Sequence, residues 1–113
     1  MERFDAIIIG TGQAGPSLAD RLSDEGQKVA IIERGLVGGT CVNVGCVPTK
    51  ALVASARVAH VARRAAEFGV EIGASVSVDM KRVKARKDEI SGSSNKGLTG
   101  RLESLENATL IRG

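Results

Sequence analysis

Cys41 and Cys46 are the only cysteines of the chain, and four residues separate them in the run GGTCVNVGCVPTK. Such a pair can close as a disulfide and reopen as two thiols, provided the two α-carbons come within about 7 Å of each other. One continuous helix would not set these positions side by side, whereas a turn through Asn43–Gly45 would. Cys46 lies just before a helix expected to begin at Pro48, and the positive end of that helix favours its thiolate. A thiolate there is an electron-rich donor suited to lie against an electron-poor flavin ring. Lys50, in the first helical turn, adds positive charge. Because Cys41 precedes the turn and Cys46 abuts the helix, Cys41 is expected to alkylate first. Three other readings of the pair remain open on these residues: a structural disulfide, half of a zinc site, or two buried structural thiols. A loop this short gains little from closure, which weighs against the first. The chain has no second cysteine pair and a single histidine, His60, which weighs against the second. His60 itself is read as a solvated or helix-packing residue.

Upstream, IIIGTGQAG reads as a strand, a glycine turn and the start of a helix. Gly10 permits the tight turn, Gly12 lets the backbone approach a pyrophosphate, and Gly15 lets helix and strand pack closely. The helix start then offers unpaired N–H groups to the anion. Glu33, at the end of the next strand, can accept hydrogen bonds from both ribose hydroxyls of an adenosine and would repel a 2′-phosphate. FAD or NAD is therefore preferred over NADP. A dinucleotide site beside a redox-active pair implies electron transfer between a bound cofactor and sulfur.

The elements that must position these residues follow from pattern. Phe4–Ile9 is expected as a buried strand, followed by a helix with Ala14, Leu18, Ala19 and Leu22 on its inner face, Pro16 in its first turn and Gly26 ending it. Val29–Ile32 forms a second buried strand, closed by Glu33. Gly35–Gly45 reads as a loop with four glycines. From Pro48 a helix is expected over Ala51–Glu67, with a polar stripe at Arg57, His60, Arg64 and Glu67. Leu52, Ala56, Ala59 and Ala66 lie mostly opposite, and Gly69 ends the helix. Val70–Val78 has room for one or two short strands. Asp79 is placed to cap a further helix with Met80, Val83, Lys87 and Ile90 in helical spacing, resumed by Leu98, Leu102 and Leu105. The intervening SGSSNKG is either a break between two helices or a weak stretch within one. Ala108–Arg112 reads as a final strand.

The chain has 113 residues, enough for one small domain. Phe4 and Phe68 are its only aromatics, so the core must be built from aliphatic side chains, which suit strands buried on both faces. Sixteen basic and 13 acidic residues give a charge of +3. The basic run Lys81–Lys87 is flanked by Asp79, Asp88 and Glu89, which reads as a solvated helix face and not as a nucleic-acid site. No stretch approaches membrane-spanning length, and no signal peptide is read at the start. The expectation is a cytoplasmic protein without membrane or nucleic-acid partners, in a compartment where a close cysteine pair is more often catalytic than structural.

The segments IIIGTGQAG, IIERG and GGTCVNVGCVPTK, in that order, resemble the N-terminal part of the pyridine nucleotide–disulfide oxidoreductases, the family of dihydrolipoamide dehydrogenase, glutathione reductase and mercuric reductase. The resemblance covers most of Arg3–Glu67. Beyond Val70 it rests on the order of elements. It implies an α/β, Rossmann-like FAD/NAD(P)-binding fold with a central parallel sheet, incomplete in this chain. Gly10, Gly12, Gln13, Ala14 and Gly15 would surround the FAD pyrophosphate, and Glu33, with Arg34 beside it, would hold the adenosine ribose. Gly39, Thr40 and Cys41 would run along the cofactor, with Lys50 near flavin N5. Cys41 would be the interchange thiol that attacks substrate and Cys46 the charge-transfer thiol. In the family NAD(P)H reduces FAD, FAD reduces the disulfide, and the dithiol reduces a small molecule, disulfide or metal ion.

Residues 1–113 would then be a partial FAD-binding domain. The NAD(P)-binding and dimerisation domains of a homodimeric enzyme are absent from it, and the chain alone is expected to be inactive. GTGQAG and CVNVGCVPTK lean toward the mercuric reductase-like branch. Mercury handling would need additional cysteines, so the acceptor stays open. A rival from another class is a non-catalytic nucleotide-binding or thiol redox-sensing module.

Overall fold

A computed structural model describes residues 1–113. Three parallel strands, β1 (Ala6–Ile9), β2 (Val29–Glu33) and β3 (Ala108–Arg112), form one sheet in the order β1-β2-β3. Ile8 aligns with Ile31 and Ile31 with Leu110 across the ladder. Helix α1 (Gly15–Asp24) joins the first two strands. The chain then passes through a short helix α2 (Gly39–Asn43), a long helix α3 (Cys46–Arg63), a 3₁₀ turn (Ala65–Phe68) and helix α4 (Met80–Glu103) before it re-enters the sheet. The architecture is thus the α/β parallel sheet flanked by helices that the glycine turn and flanking apolar runs imply, in the form of a partial Rossmann-like domain.

The core is small and lies on one face of the sheet. Val29 and Ile31 meet Ala19 of α1, Val37 and Leu102 of α4, with Ala6, Ile8, Leu22, Leu98, Leu105 and Leu110 packed around them. The opposite face carries Ile7 and Ile9, 63% and 86% exposed. Strand period dictates this alternation, since neighbouring residues point to opposite faces. On α1 the inward residues are Ala19, Leu22 and Ser23. Ala14 and Leu18, expected inside, are exposed. Buried Ser23 is satisfied by tying the helix to the approach to β3: its hydroxyl accepts from Asn107 N–H (3.1 Å) and its carbonyl from Asn107 Nδ2 (3.0 Å).

Helices α3 and α4 form an antiparallel hairpin that projects from the sheet. The molecule measures 69 × 24 × 18 Å with a radius of gyration of 20.2 Å, against about 13 Å for a compact domain of this length. Ala51, Ser55, Ala59 and Ala62 are the more buried line on α3, whereas Leu52, Ala56 and Ala66 are exposed. Arg86 donates to the Ala51 carbonyl across the hairpin (3.0 Å). Asp79 caps α4 as its residue type predicts, accepting from Lys81 and Arg82 N–H at 2.9 and 3.1 Å.

Several boundaries differ from expectation, and the open choice at SGSSNKG is decided for one helix. α3 starts at Cys46, two residues before Pro48, because no N–H in a first turn has an intrahelical partner and proline is tolerated there. It ends at Arg63, not Glu67. No strand forms over residues 70–78, which lie at the hairpin tip with no strand edge to pair with. α4 runs unbroken through SGSSNKG: Ser94 and Thr99 return their hydroxyls to the carbonyls of Ile90 and Asn95, and so stay satisfied within the helix. No helix is long and apolar enough to cross a membrane.

Candidate functional site

The glycine turn is shaped by backbone contacts that only glycine allows. Gly10 has φ 92° and extends the ladder through its N–H to Ile32 O (2.7 Å). A β-carbon on Gly15 would lie 2.2 Å from Gly10 O, so α1 can begin this close to β1 only without a side chain. A β-carbon on Gly12 would meet nothing within 4 Å, which leaves that stretch of backbone open. No side chain caps the start of α1, and no acidic residue sits in its first turn. Its N–H groups and the positive end of its dipole are therefore available to an anion.

Thr11, between Gly10 and Gly12, is fully buried and organises the next layer. Glu33 Oε2 accepts from Thr11 N–H (3.0 Å) and from the Thr11 hydroxyl (2.5 Å), while Oε1 accepts from Gly35 N–H (2.8 Å). The Thr11 hydroxyl bond, then the Gly35 and Thr11 amides, hold the Glu33 carboxyl below its ordinary range, and Arg112 adds to this. Gly38 N–H in turn donates to Thr11 O and Oγ1 (3.1 and 3.2 Å). One threonine thus links the end of β1, the end of β2 and the loop that leads to the cysteines. Arg34 is exposed and makes no hydrogen bond.

The cysteine segment is not the continuous loop its glycines suggest. Cys41 lies on α2, and Cys46 is the first residue of α3, with Val44 and Gly45 as the junction. This break in helix direction brings together positions that one helix would separate. Both cysteines are free thiols, Cys41 half-buried and Cys46 exposed. The adjoining Cys46 thiol raises the pKa of Cys41. Partial burial adds to the rise, and the Lys50 charge opposes it. Cys41 thus keeps its proton longer than usual while Cys46 offers the more accessible sulfur. On this geometry Cys46, and not Cys41, is the thiol expected to alkylate first in the ligand-free chain.

A cleft of about 390 Å³ joins the two motifs, lined by Gly12, Gln13, Gly38, Thr40, Cys41 and Cys46. Gly39 (φ 62°) packs on its glycine side, where a β-carbon would sit 3.0 Å from Gly12 Cα. Of the residues expected around a cofactor, Gly12, Gln13, Gly39, Thr40, Cys41 and Cys46 are gathered here. Gly10 and Gly15 shape the turn, Glu33 stands behind Thr11, and Ala14 and Lys50 are exposed nearby. A larger groove of about 510 Å³ lies along the hairpin and contains neither motif. The open Gly12 backbone, the uncapped α1 start and the adjoining thiols fit a flavin dinucleotide in the chemistry of the groups they offer. No cluster of three or more His, Cys, Asp or Glu side chains is gathered that would hold a metal ion. Thr11 escapes a motif-based reading because the intervening position of a GxG turn carries no type requirement. The amides Asn43 and Asn95 escape it for a similar reason, although both hydrogen-bond the segment around Cys41.

Comparison with known proteins agrees with this geometry. The family described as pyridine nucleotide-disulphide oxidoreductase matches residues 4–111. Dihydrolipoyl dehydrogenase of Chlamydia muridarum is 41% identical over 103 residues, covering 91% of this chain and 22% of the relative. Its counterpart in Rhizobium etli is 44% identical over 97 residues, covering 86% and 20%. Among solved structures, the Cu(II) complex of an HOCl-induced flavoprotein disulfide reductase from Escherichia coli superposes with a TM-score of 0.81. It is 33% identical and is matched over 100% of this chain and 22% of that one. The chain spans about a fifth of the length of the relatives it matches.

Proposed function

This chain belongs to the pyridine nucleotide-disulphide oxidoreductase family, and from that premise we propose that it is the FAD-binding, redox-disulfide part of a flavoprotein disulfide reductase. The observation that carries the reading is the cleft shared by the open glycine turn and the two neighbouring thiols. FAD, when bound, supplies the two-electron chemistry that links a nicotinamide donor to sulfur. The chain's own residues do the rest. The α1 N–H groups bind the pyrophosphate. Glu33, held ionised by Thr11 and Gly35, accepts from the ribose hydroxyls. Cys46, the first residue of α3, presents its exposed sulfur to the cleft.

Exchange then balances on sulfur alone. Cys41 attacks one sulfur of a substrate disulfide, forming a mixed disulfide and releasing the first substrate thiol. Cys46 attacks the Cys41 sulfur, releasing the second thiol and leaving the Cys41–Cys46 disulfide. The donor in this reading is NAD(P)H, held by a domain outside residues 1–113, and the working unit is a homodimer. A small dithiol–disulfide couple, exchanged in either direction by these same steps, is the substrate suggested by relatives named for dihydrolipoyl groups. A soft metal ion is a second reading, supported by the Cu(II) complex of the similar reductase and by the softness of thiolate ligands. It retains the metal-ion acceptor toward which the motifs lean.

Titration of FAD against the chain tests the proposal. FAD should be taken up, and two-electron reduction should add long-wavelength absorbance that Cys46→Ala lacks. Glu33→Ala should weaken uptake by about 1–3 kcal/mol. A protein that takes up no FAD, or whose reduced spectrum ignores Cys46→Ala, would support a thiol-responsive module that passes electrons to nothing.

A further inference from the structure

We infer that Asn95, acting through Asn43, is a positioning residue for the cysteine pair: its amide clamps the short helix α2 to the long helix α4 and so sets how readily the two thiols join. The inference rests on the dithiol reading of Cys41 and Cys46 and on no other part of the proposed electron path.

Helix α2 has five residues, too few to hold itself in water. The chain enters it through Gly38 and Gly39, at φ 103° and 62°, and leaves it through Gly45 at φ −119°, ψ −111°. The orientation of such a segment must be imposed from outside. At its entrance Gly38 N–H is held by Thr11. Behind it, two side-chain amides converge on one carbonyl: Val37 O accepts from Asn43 Nδ2 (2.9 Å) and from Asn95 Nδ2 (2.6 Å). Asn43 Nδ2 also donates to Gly39 O (2.9 Å), and Asn43 Oδ1 accepts from Asn95 Nδ2 (3.1 Å). A carbonyl oxygen only accepts, so both amides must turn their NH₂ groups toward Val37 O. Asn43 Oδ1 is then left to take the remaining Asn95 N–H. Chemistry alone fixes both amide orientations.

Asn95 is the only α4 side chain that hydrogen-bonds residues 36–45. Its two attachment points, Val37 and Asn43, bracket Cys41, whereas Cys46 takes its position from α3. The clamp therefore acts on one member of the pair. Without the Asn95 donors, α2 can shift relative to the start of α3, and the effective concentration of the Cys41 thiol at Cys46 falls.

The test is the dithiol–disulfide equilibrium of the full chain in glutathione buffers, with thiols trapped by acid and counted by mass. Two protein thiols and one glutathione disulfide give the Cys41–Cys46 disulfide and two glutathione thiols, with no flavin or nicotinamide required. Asn95→Asp keeps the side-chain shape and removes both donors; Asn95→Ser shortens it. Asn107→Ala serves as the structural control, because it deletes a similar amide-to-carbonyl bond (to Ser23 O, 3.0 Å) remote from the pair. The equilibrium constant should fall about tenfold in both Asn95 variants and stay within about twofold in Asn107→Ala. Should Asn95→Asp fail to fold by circular dichroism, Asn95→Ser and Asn43→Ser break the same junction and carry the comparison. Unchanged constants in the Asn95 variants, or an equal fall in Asn107→Ala, would overturn the clamp and leave the dithiol reading standing. An unaltered chain that forms no intramolecular disulfide would sink both.

Discussion

The parallel sheet and the α3–α4 hairpin draw on the same aliphatic alphabet and use it differently. From Leu52 to Arg101 no residue is buried, although the hairpin carries Val58, Val61, Phe68, Val70, Ile72 and Met80. The sheet region owns the core around Ile31 and Leu102. Its shape is over-determined: glycines that nothing else can replace, a threonine that joins three segments, and a carboxylate with three donors. The hairpin is held by helix hydrogen bonds, an Asp79 cap and local ion pairs such as Lys84–Asp88. Both motifs lie in or against the over-determined part. A redox pair and a phosphate cradle need fixed backbone geometry, and close packing supplies it where local helix energetics do not.

The largest contrast to test is between glycines. Gly15→Ala drives a β-carbon into Gly10 O and should cost about 3 kcal/mol or more in urea denaturation. Gly92→Ala on α4 meets nothing within 4 Å and should gain up to about 1 kcal/mol. Equal effects would erase the distinction between the two regions.

Glu33→Gln probes the carboxylate that ties the sheet to the site. It should cost about 1–2 kcal/mol, kept modest by partial solvent exposure. The pH dependence has a definite sign. The Glu33 pKa is lowered on folding, so its contribution is complete above the ordinary carboxylate value. It is lost as pH falls through the depressed value, where protonation weakens the Thr11 and Gly35 bonds. Melting curves in acid should therefore converge for Glu33→Gln and the unaltered chain as pH drops.

A smaller effect sharpens the cysteine assignment. In the ligand-free reduced chain, iodoacetamide should label Cys46 severalfold faster than Cys41, and in Cys46→Ala the Cys41 rate profile should move to lower pH as its main pKa-raising partner disappears. Added FAD should cover Cys46 and restore Cys41 as the first thiol labelled. Last, Asp79→Ala should cost about 0.5–1 kcal/mol, seen as faster amide exchange at the start of α4 with the sheet untouched.

Much of the site was legible because its requirements are local. A tight turn out of a strand needs glycine at Gly10, and a helix starting against that strand needs glycine at Gly15. Both needs are written within six residues. The strand β2, the α1 start and the Asp79 cap were legible for the same reason. Residues 70–78 misled because alternating Val76 and Val78 look like a strand, yet pairing needs a neighbour that only the folded chain provides or withholds. SGSSNKG looked like a candidate break because serine and glycine weaken helices in isolation. In the fold the Ser94 hydroxyl bonds back to the helix, and Asn95 reaches the redox segment.

The sequence by itself determined the chemical inventory and the backbone special positions: one cysteine pair, one glycine turn, parallel strands of aliphatic residues, and a carboxylate at the end of β2. Only the tertiary structure decided that Thr11 holds Glu33 22 positions away, that Asn95 meets Asn43 across 52, and that the hairpin between Leu52 and Arg101 buries none of its large apolar side chains. The physical reason is range. Turn and cap geometry is set by neighbouring φ and ψ angles and leaves a local trace. A hydrogen bond between distant segments depends on how helices and strands come to pack, and no short stretch of residues encodes that.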